Sequence, residues 1–163
     1  MTERRAAEVV ALLRQRSETL ATAESLTGGL IGQLLTDVPG ASAAYLGGAI
    51  TYATRLKSTL AAVSESTLAR YGPVDPRTAV QMAAGIAGRC AADWGVAVTG
   101  VAGPEPQDGH PVGQVFVAVC RRSPAQSHLR ELNLTGDRTA IRWSTARAAL
   151  DLLIEVLGMP RAS

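Results

Sequence analysis

Strand-like apolar runs and amphipathic helical stretches alternate through most of this chain, and two strand-like runs follow one another near its end. Residues 3–16 carry Val9, Leu12 and Leu13 on one helical stripe, with Arg5, Arg14 and Arg16 elsewhere. A short extended run, 19–23, ends at Glu24-Ser25, and Thr27-Gly28-Gly29 leads into an apolar helix, 30–35, closed near Pro39-Gly40. Residues 45–52 read as a strand weakened by Gly47-Gly48. A turn or short helix then carries Lys57, and Ser64 starts a helix to Tyr71. A long Ala-rich helix, 76–92, has proline in its first turn. A buried-type strand, 95–99, precedes a Gly/Pro-rich loop, 100–113. Runs 114–120 and 127–134 form a hairpin, and a closing helix opens at Asp137 or Thr139 and reaches Leu157. Early alternation demands crossover connections and parallel strands, while the late hairpin adds antiparallel ones. The expected architecture is α/β, a three-layer α-β-α sandwich with a mixed sheet. No linker divides it, so residues 1–163 are expected to form a single domain.

Hydrophobic residues make up 47% of the chain but aromatics only 4%, so the core must be built from Ala, Val, Leu and Ile. A net charge of +2, no basic run beyond Arg121-Arg122 and few aromatics argue against a nucleic-acid surface. No apolar stretch is long enough to cross a membrane, and residues 1–8 lack the apolar segment of a signal peptide. Cys90 and Cys120 are far apart and form no CxxC, as expected of a reducing compartment. The expectation is a soluble cytoplasmic protein. No HExxH, Cys/His cluster or repeated Asp/Glu spacing suggests a metal, and no cofactor is expected.

Lys57 is the only lysine among sixteen Lys and Arg residues. An arginine stays charged, whereas a desolvated lysine amine can lose its proton, so the one lysine is a candidate titratable group. Three regions could meet it. In the first, Ser25 lies at a strand end before small residues and a helix start, where a hydroxyl is exposed and backbone N–H groups converge. Ser25 is either a helix cap or a nucleophile there, and Thr27 can cap while Ser25 reacts. A nucleophile needs a base. His110 and His128 read as surface residues, which leaves neutral Lys57, its pKa lowered by burial and by arginine charge from Arg55 or Arg138. In the second region, Val98-Thr99-Gly100-Val101-Ala102-Gly103-Pro104 follows a buried strand. It is either a ligand loop at a strand's carboxyl end or an ordinary connection. In the third, Arg138 and Arg142 share a helix face, as an anion site or as a solvated face capped by Asp137.

In this order the three regions resemble the C-terminal domain family of the competence/damage-inducible protein CinA. The matching stretches are Ala23-Glu24-Ser25-Leu26-Thr27-Gly28-Gly29, Gly48-Ala49-Ile50-Thr51-Tyr52 with Lys57, Thr99 to Pro104, Pro111-Val112-Gly113 and Gly136-Asp137-Arg138. The resemblance runs from about Glu8 to Leu157 and is to the stand-alone form, since larger members carry an additional N-terminal domain. It implies hydrolysis of nicotinamide mononucleotide to nicotinate mononucleotide and ammonia, in pyridine-nucleotide recycling. Ser25 would be the nucleophile, Lys57 its base, and N–H groups of residues 26–28 the oxyanion donors. Arg138 and Arg142 with the Gly28-Gly29 backbone would hold the 5′-phosphate. Tyr52 and Thr99 would line the nicotinamide or ribose pocket, and Thr27, Gly100 and Gly103 would approach the substrate. Many members have cysteine where this chain has Leu26, so here no competing nucleophile follows the serine. The expected partners are a small-molecule nucleotide and a second copy of the chain, in a homo-oligomer expected to be a dimer. Rival readings are a non-catalytic nucleotide-binding domain, a partner-binding domain using helix 76–92, and an amidase for another small carboxamide.

Overall fold

In the computed structural model, which describes residues 1–160, five strands form one sheet in the order β2-β1-β3-β4-β5. The last three residues of the expected domain lie outside the described residues. Strands β1 (Leu20–Glu24), β2 (Tyr45–Ile50) and β3 (Trp94–Gly100) run parallel, with β1 in the middle. Strands β4 (Gln114–Arg121) and β5 (Gln126–Asn133) add the antiparallel hairpin beyond β3. The sheet is mixed, as the order of runs in the sequence requires.

Helices cover both faces. Helices α1 (Thr2–Arg16), α2 (Leu30–Thr36) and α6 (Arg138–Gly158) pack on one, over a core of Leu20, Val96, Val98, Val117 and Val119. On the other, α5 (Pro76–Arg89) lies over Ala21, Ala23, Ala97 and Ala118. Helices α3 (Thr54–Ala61) and α4 (Glu65–Tyr71) border α5. The two faces differ because larger and small side chains alternate along β1 and β3. The small face brings α5 very close: a Cβ on Gly95 would lie 1.9 Å from the Ala83 carbonyl oxygen. Ser64 and Asp137 cap α4 and α6, accepting from the N–H groups of Thr67 and Ala140.

The connection after β1 enters α2 on one face, while that after β2 enters α3 and α5 on the other. Such divergence opens a crevice at the carboxyl ends of neighbouring strands. Both Ser25, just beyond β1, and Lys57, on α3, are carried to that edge of the sheet.

Candidate active site

Glu24 ends β1 as a buried carboxylate in an otherwise uncharged strand. Its Oε2 accepts from Thr27 Oγ1 at 2.6 Å, the Ile31 N–H at 3.0 Å and the Gly29 N–H at 3.1 Å. Its Oε1 accepts from the Gly32 N–H at 2.8 Å. The carboxylate thus gathers the open donors at the start of α2, which a buried anion requires and a helix start supplies. Gly28 and Gly29 take positive φ values of 61° and 99°, a conformation in which a side chain would be strained, and so fold the chain back over Glu24. The Gly28 N–H closes the turn on the Ser25 carbonyl at 3.1 Å.

The turn fixes Ser25, which is 7% exposed. Lys57 meets it from α3: Nζ donates to Ser25 Oγ at 3.0 Å and to the Thr51 carbonyl at 2.7 Å. Thr51 is in turn tied to β1, its N–H donating to the Glu24 carbonyl at 2.8 Å. The β1–β2 register therefore sets the spacing of hydroxyl and amine. Lys57 is 1% exposed, and among the described residues no carboxylate pairs with it. Burial alone lowers its pKa to about 8. Arginine charge from Arg55 or Arg138, expected from the sequence, is not the cause. An amine offered only a hydroxyl and a carbonyl is pushed toward neutrality without a neighbouring cation.

Ser25 and Lys57 open into a cleft of about 140 Å³. Tyr52, Thr99, Gly100, Gly103 and Arg138 line it as well. The Thr99 hydroxyl donates to the Pro73 carbonyl at 2.6 Å, so it braces the wall. Arg138 crosses the mouth, donating to the Gly103 carbonyl at 2.6 Å and to the Tyr52 hydroxyl at 3.0 Å.

Four of the expected substrate-binding residues are not part of the cleft lining. Thr27 is fully buried and spends its hydroxyl on Glu24. The Gly28 and Gly29 amides, expected to face a phosphate, are engaged by the Ser25 carbonyl and the Glu24 carboxylate. Arg142 points to the Ser25 turn, not the cleft: Nε donates to the Leu26 carbonyl and Nη2 to the Thr27 carbonyl, each at 2.9 Å. The Leu26 and Thr27 N–H groups, of the three expected as oxyanion donors, have no acceptor among the described residues. Glu24 is not among the residues expected at the site, although a charge in an otherwise uncharged strand is its sequence signal. Thr51, Thr54, Glu105 and Gln107 are not among them either; the last three line the cleft.

The alternative nucleophiles and bases lie elsewhere. Burial pushes the Cys120 thiol up to about 11. His110 is occupied through Nδ1 with Gln114.

Residues 2–157 match the model of the CinA C-terminal domain. The chain belongs to the CinA C-terminal domain family. A CinA-like protein of Frankia casuarinae is 48% identical over 94% of this chain, and one of Synechococcus elongatus 44% over 91%. The chain spans about a third of the length of those two relatives, 35% of each. Among solved structures, the competence/damage inducible protein CihA from Agrobacterium tumefaciens superposes with a TM-score of 0.91 at 37% identity, covering 97% of this chain and 96% of that one. The competence or damage-inducible protein from Enterobacter asburiae gives 0.92 at 27% identity, over 97% and 99%. The CinA fold is thus shared over nearly the whole chain. No helix among the described residues of this CinA domain is long and apolar enough to cross a membrane.

Proposed function

We propose that the chain hydrolyses the carboxamide of nicotinamide mononucleotide, releasing nicotinate mononucleotide and ammonia through an acyl-enzyme on Ser25. The observation that carries this reading is the 3.0 Å contact between Ser25 Oγ and Nζ of a buried lysine that has no counter-ion among the described residues. In its neutral form Lys57 keeps one N–H on the Thr51 carbonyl and turns its lone pair to the serine hydroxyl. It takes the Ser25 proton as Oγ attacks the carboxamide carbon. The oxyanion that forms would be met by the N–H of Leu26, which lines the cleft and has no acceptor among the described residues. Protonated Lys57 then gives its proton to the departing nitrogen, so that ammonia leaves and an ester of Ser25 remains. Water, losing a proton to neutral Lys57, attacks that ester; nicotinate mononucleotide is released and Ser25 regains its proton.

The cleft suits this division of the substrate. At about 140 Å³ it is smaller than the roughly 300–1,000 Å³ of sites that enclose a drug-sized ligand. It can take a carboxamide-bearing ring, with ribose and phosphate extending past Tyr52 toward Arg138. The phosphate contact falls to Arg138 at the mouth, because the Gly28 and Gly29 amides and Arg142 are engaged in the turn. Substrate phosphate would draw the Arg138 guanidinium from the Tyr52 hydroxyl.

Purified protein should release ammonia from nicotinamide mononucleotide. Rapid acid quench should trap the nicotinate ester on Ser25, and Ser25→Ala should abolish both. A protein that raises its melting temperature with the nucleotide yet releases no ammonia would be a binding domain, and the hydrolase reading would fall.

A further inference from the structure

Arg138 and Arg142 are one helical turn apart on α6, yet they do different things. Arg138 lines the cleft; Arg142 is absent from its lining and grips two backbone carbonyls of the Ser25 turn. A planar trans peptide points its C=O and N–H in opposite directions, so a hand on the carbonyl aims the amide. The Leu26 carbonyl, held by Arg142 Nε, shares its plane with the Thr27 N–H. The Thr27 carbonyl, held by Nη2, shares its plane with the Gly28 N–H, which itself closes on the Ser25 carbonyl. That last carbonyl shares its plane with the Leu26 N–H. Both N–H groups without a protein acceptor, those of Leu26 and Thr27, therefore have their opposite ends fastened. Leu26 is 4% exposed and Thr27 0%. Buried backbone donors without a partner are rare in native proteins, and of the two only that of Leu26 belongs to a residue lining the cleft, next to the candidate nucleophile.

We propose that Arg142 is a positioning residue for acyl transfer at Ser25: its fork on the Leu26 and Thr27 carbonyls locks the turn in which the Gly28–Ser25 hydrogen bond fixes the plane that presents the Leu26 N–H to the oxyanion. This rests on the hydrolase reading above and departs from a phosphate-binding role for Arg142. The fork matters because one planar guanidinium spans two successive carbonyls, which a lysine amine does less well. A donor locked in place before reaction costs no reorganisation during it, so loss of the lock should weaken the transition state and leave the bound ground state nearly unchanged.

The test compares the parent, Arg142→Gln and Arg142→Lys in three assays. These are ammonia release from nicotinamide mononucleotide, ammonia release from nicotinamide riboside, which lacks the phosphate, and burst acylation by p-nitrophenyl acetate, which needs no nicotinamide recognition. Arg142→Gln is expected to lower kcat about a hundredfold on both nicotinamide substrates with KM little changed, and to slow ester acylation in proportion. Arg142→Lys should recover part of each rate by reaching one carbonyl. If Arg142→Gln does not fold, as thermal melting would show, the partial rates of Arg142→Lys carry the comparison. A loss expressed in KM and confined to the phosphorylated substrate would make Arg142 a phosphate ligand and overturn the proposal, as would parent-like rates in the folded variants. A parent acylated by the ester but inactive on both nicotinamide substrates would sink the hydrolase reading alone, since the ester arm still measures the lock. A parent acylated by none of the three would overturn both.

Discussion

The two ends of β1 bury ionisable side chains in opposite ways. At the amino end Glu18 receives Arg16 Nε at 2.8 Å, Arg121 Nη2 at 3.0 Å and the Trp94 indole N–H at 2.8 Å. Burial pushes its carboxyl up, but the Arg16 and Trp94 hydrogen bonds and the two guanidinium charges outweigh that, and its pKa lies below the usual value. At the carboxyl end Lys57 meets only a hydroxyl and a carbonyl, and burial carries its pKa down to about 8. Opposite charge keeps a buried group ionised and makes it part of the framework. A buried amine that meets only a hydroxyl and a carbonyl is left ready to exchange its proton near physiological pH, which is what a base must do.

The sharpest way to break this contrast is Lys57→Arg. It retains a positive charge and removes the exchangeable proton, so ammonia release should fall by about a thousandfold or more while the protein still folds. Activity close to the parent's would remove Lys57 from the chemistry. Glu18→Gln should do the reverse. It removes the carboxylate charge from beside two arginines that are largely buried, with side-chain exposures of 15% and 13%. Denaturant unfolding should show a loss of about 3–5 kcal/mol, and kcat of the folded fraction should stay at the parent's value. A stable Glu18→Gln protein with altered kcat would mean that the two ends are coupled and not divided by role.

Much of this division could be read from the chain before its structure. Alternating runs with a late hairpin required a mixed sheet covered on both sides, and Ser64 and Asp137 announced helix starts that they do cap. Lys57 stood out as a lone lysine, and Ser25 as a serine at a strand end. What stayed hidden depends on contacts across the chain. Lys57 lies 32 positions from Ser25, and their meeting depends on the β1–β2 register and on Thr51. Burial lowers the lysine's pKa as expected, but the arginine charge expected beside it contributes nothing, because arginine abundance is visible in sequence and the side chains' final distances are not. Glu24 looked like a strand terminus because four donors converge on it only after Gly28 and Gly29 reverse the chain. Arg138 and Arg142 do leave one helix face, but long side chains from neighbouring turns reached different loops.

The pH dependence sharpens the comparison next. A base is competent when neutral, so kcat/KM should climb roughly tenfold per pH unit from pH 6 and level off above about 8, where Lys57 has lost its proton. A profile flat across that interval would show that another group takes the serine proton.

The smallest effect expected is on stability, and it has the opposite sign to most core substitutions. The folded pKa of Lys57, about 8, lies below the ordinary lysine value of about 10.4. Below pH 8 both folded and unfolded chains hold the proton, and the fold bears the full cost of a buried charge. Between about pH 8 and 10.4 the unfolded chain holds the proton and the folded one does not, so stability rises with pH; above that interval it is level. The interval corresponds to roughly 3 kcal/mol. Lys57→Met removes that cost, but it also gives up the hydrogen bonds to Ser25 and Thr51, each worth about 1 kcal/mol. At pH 7 the variant should therefore be more stable than the parent by roughly 1 kcal/mol. By pH 10.5 the order should reverse, because the parent has shed its charge and the variant still lacks the hydrogen bonds. Chemical denaturation at both pH values reads the crossing, and Tyr and Cys titrations common to the two proteins cancel in the difference. A gap that does not change between the two pH values would mean that Lys57 is solvated enough to keep its ordinary pKa, and the contrast with Glu18 would then no longer explain why one end of β1 reacts and the other only holds.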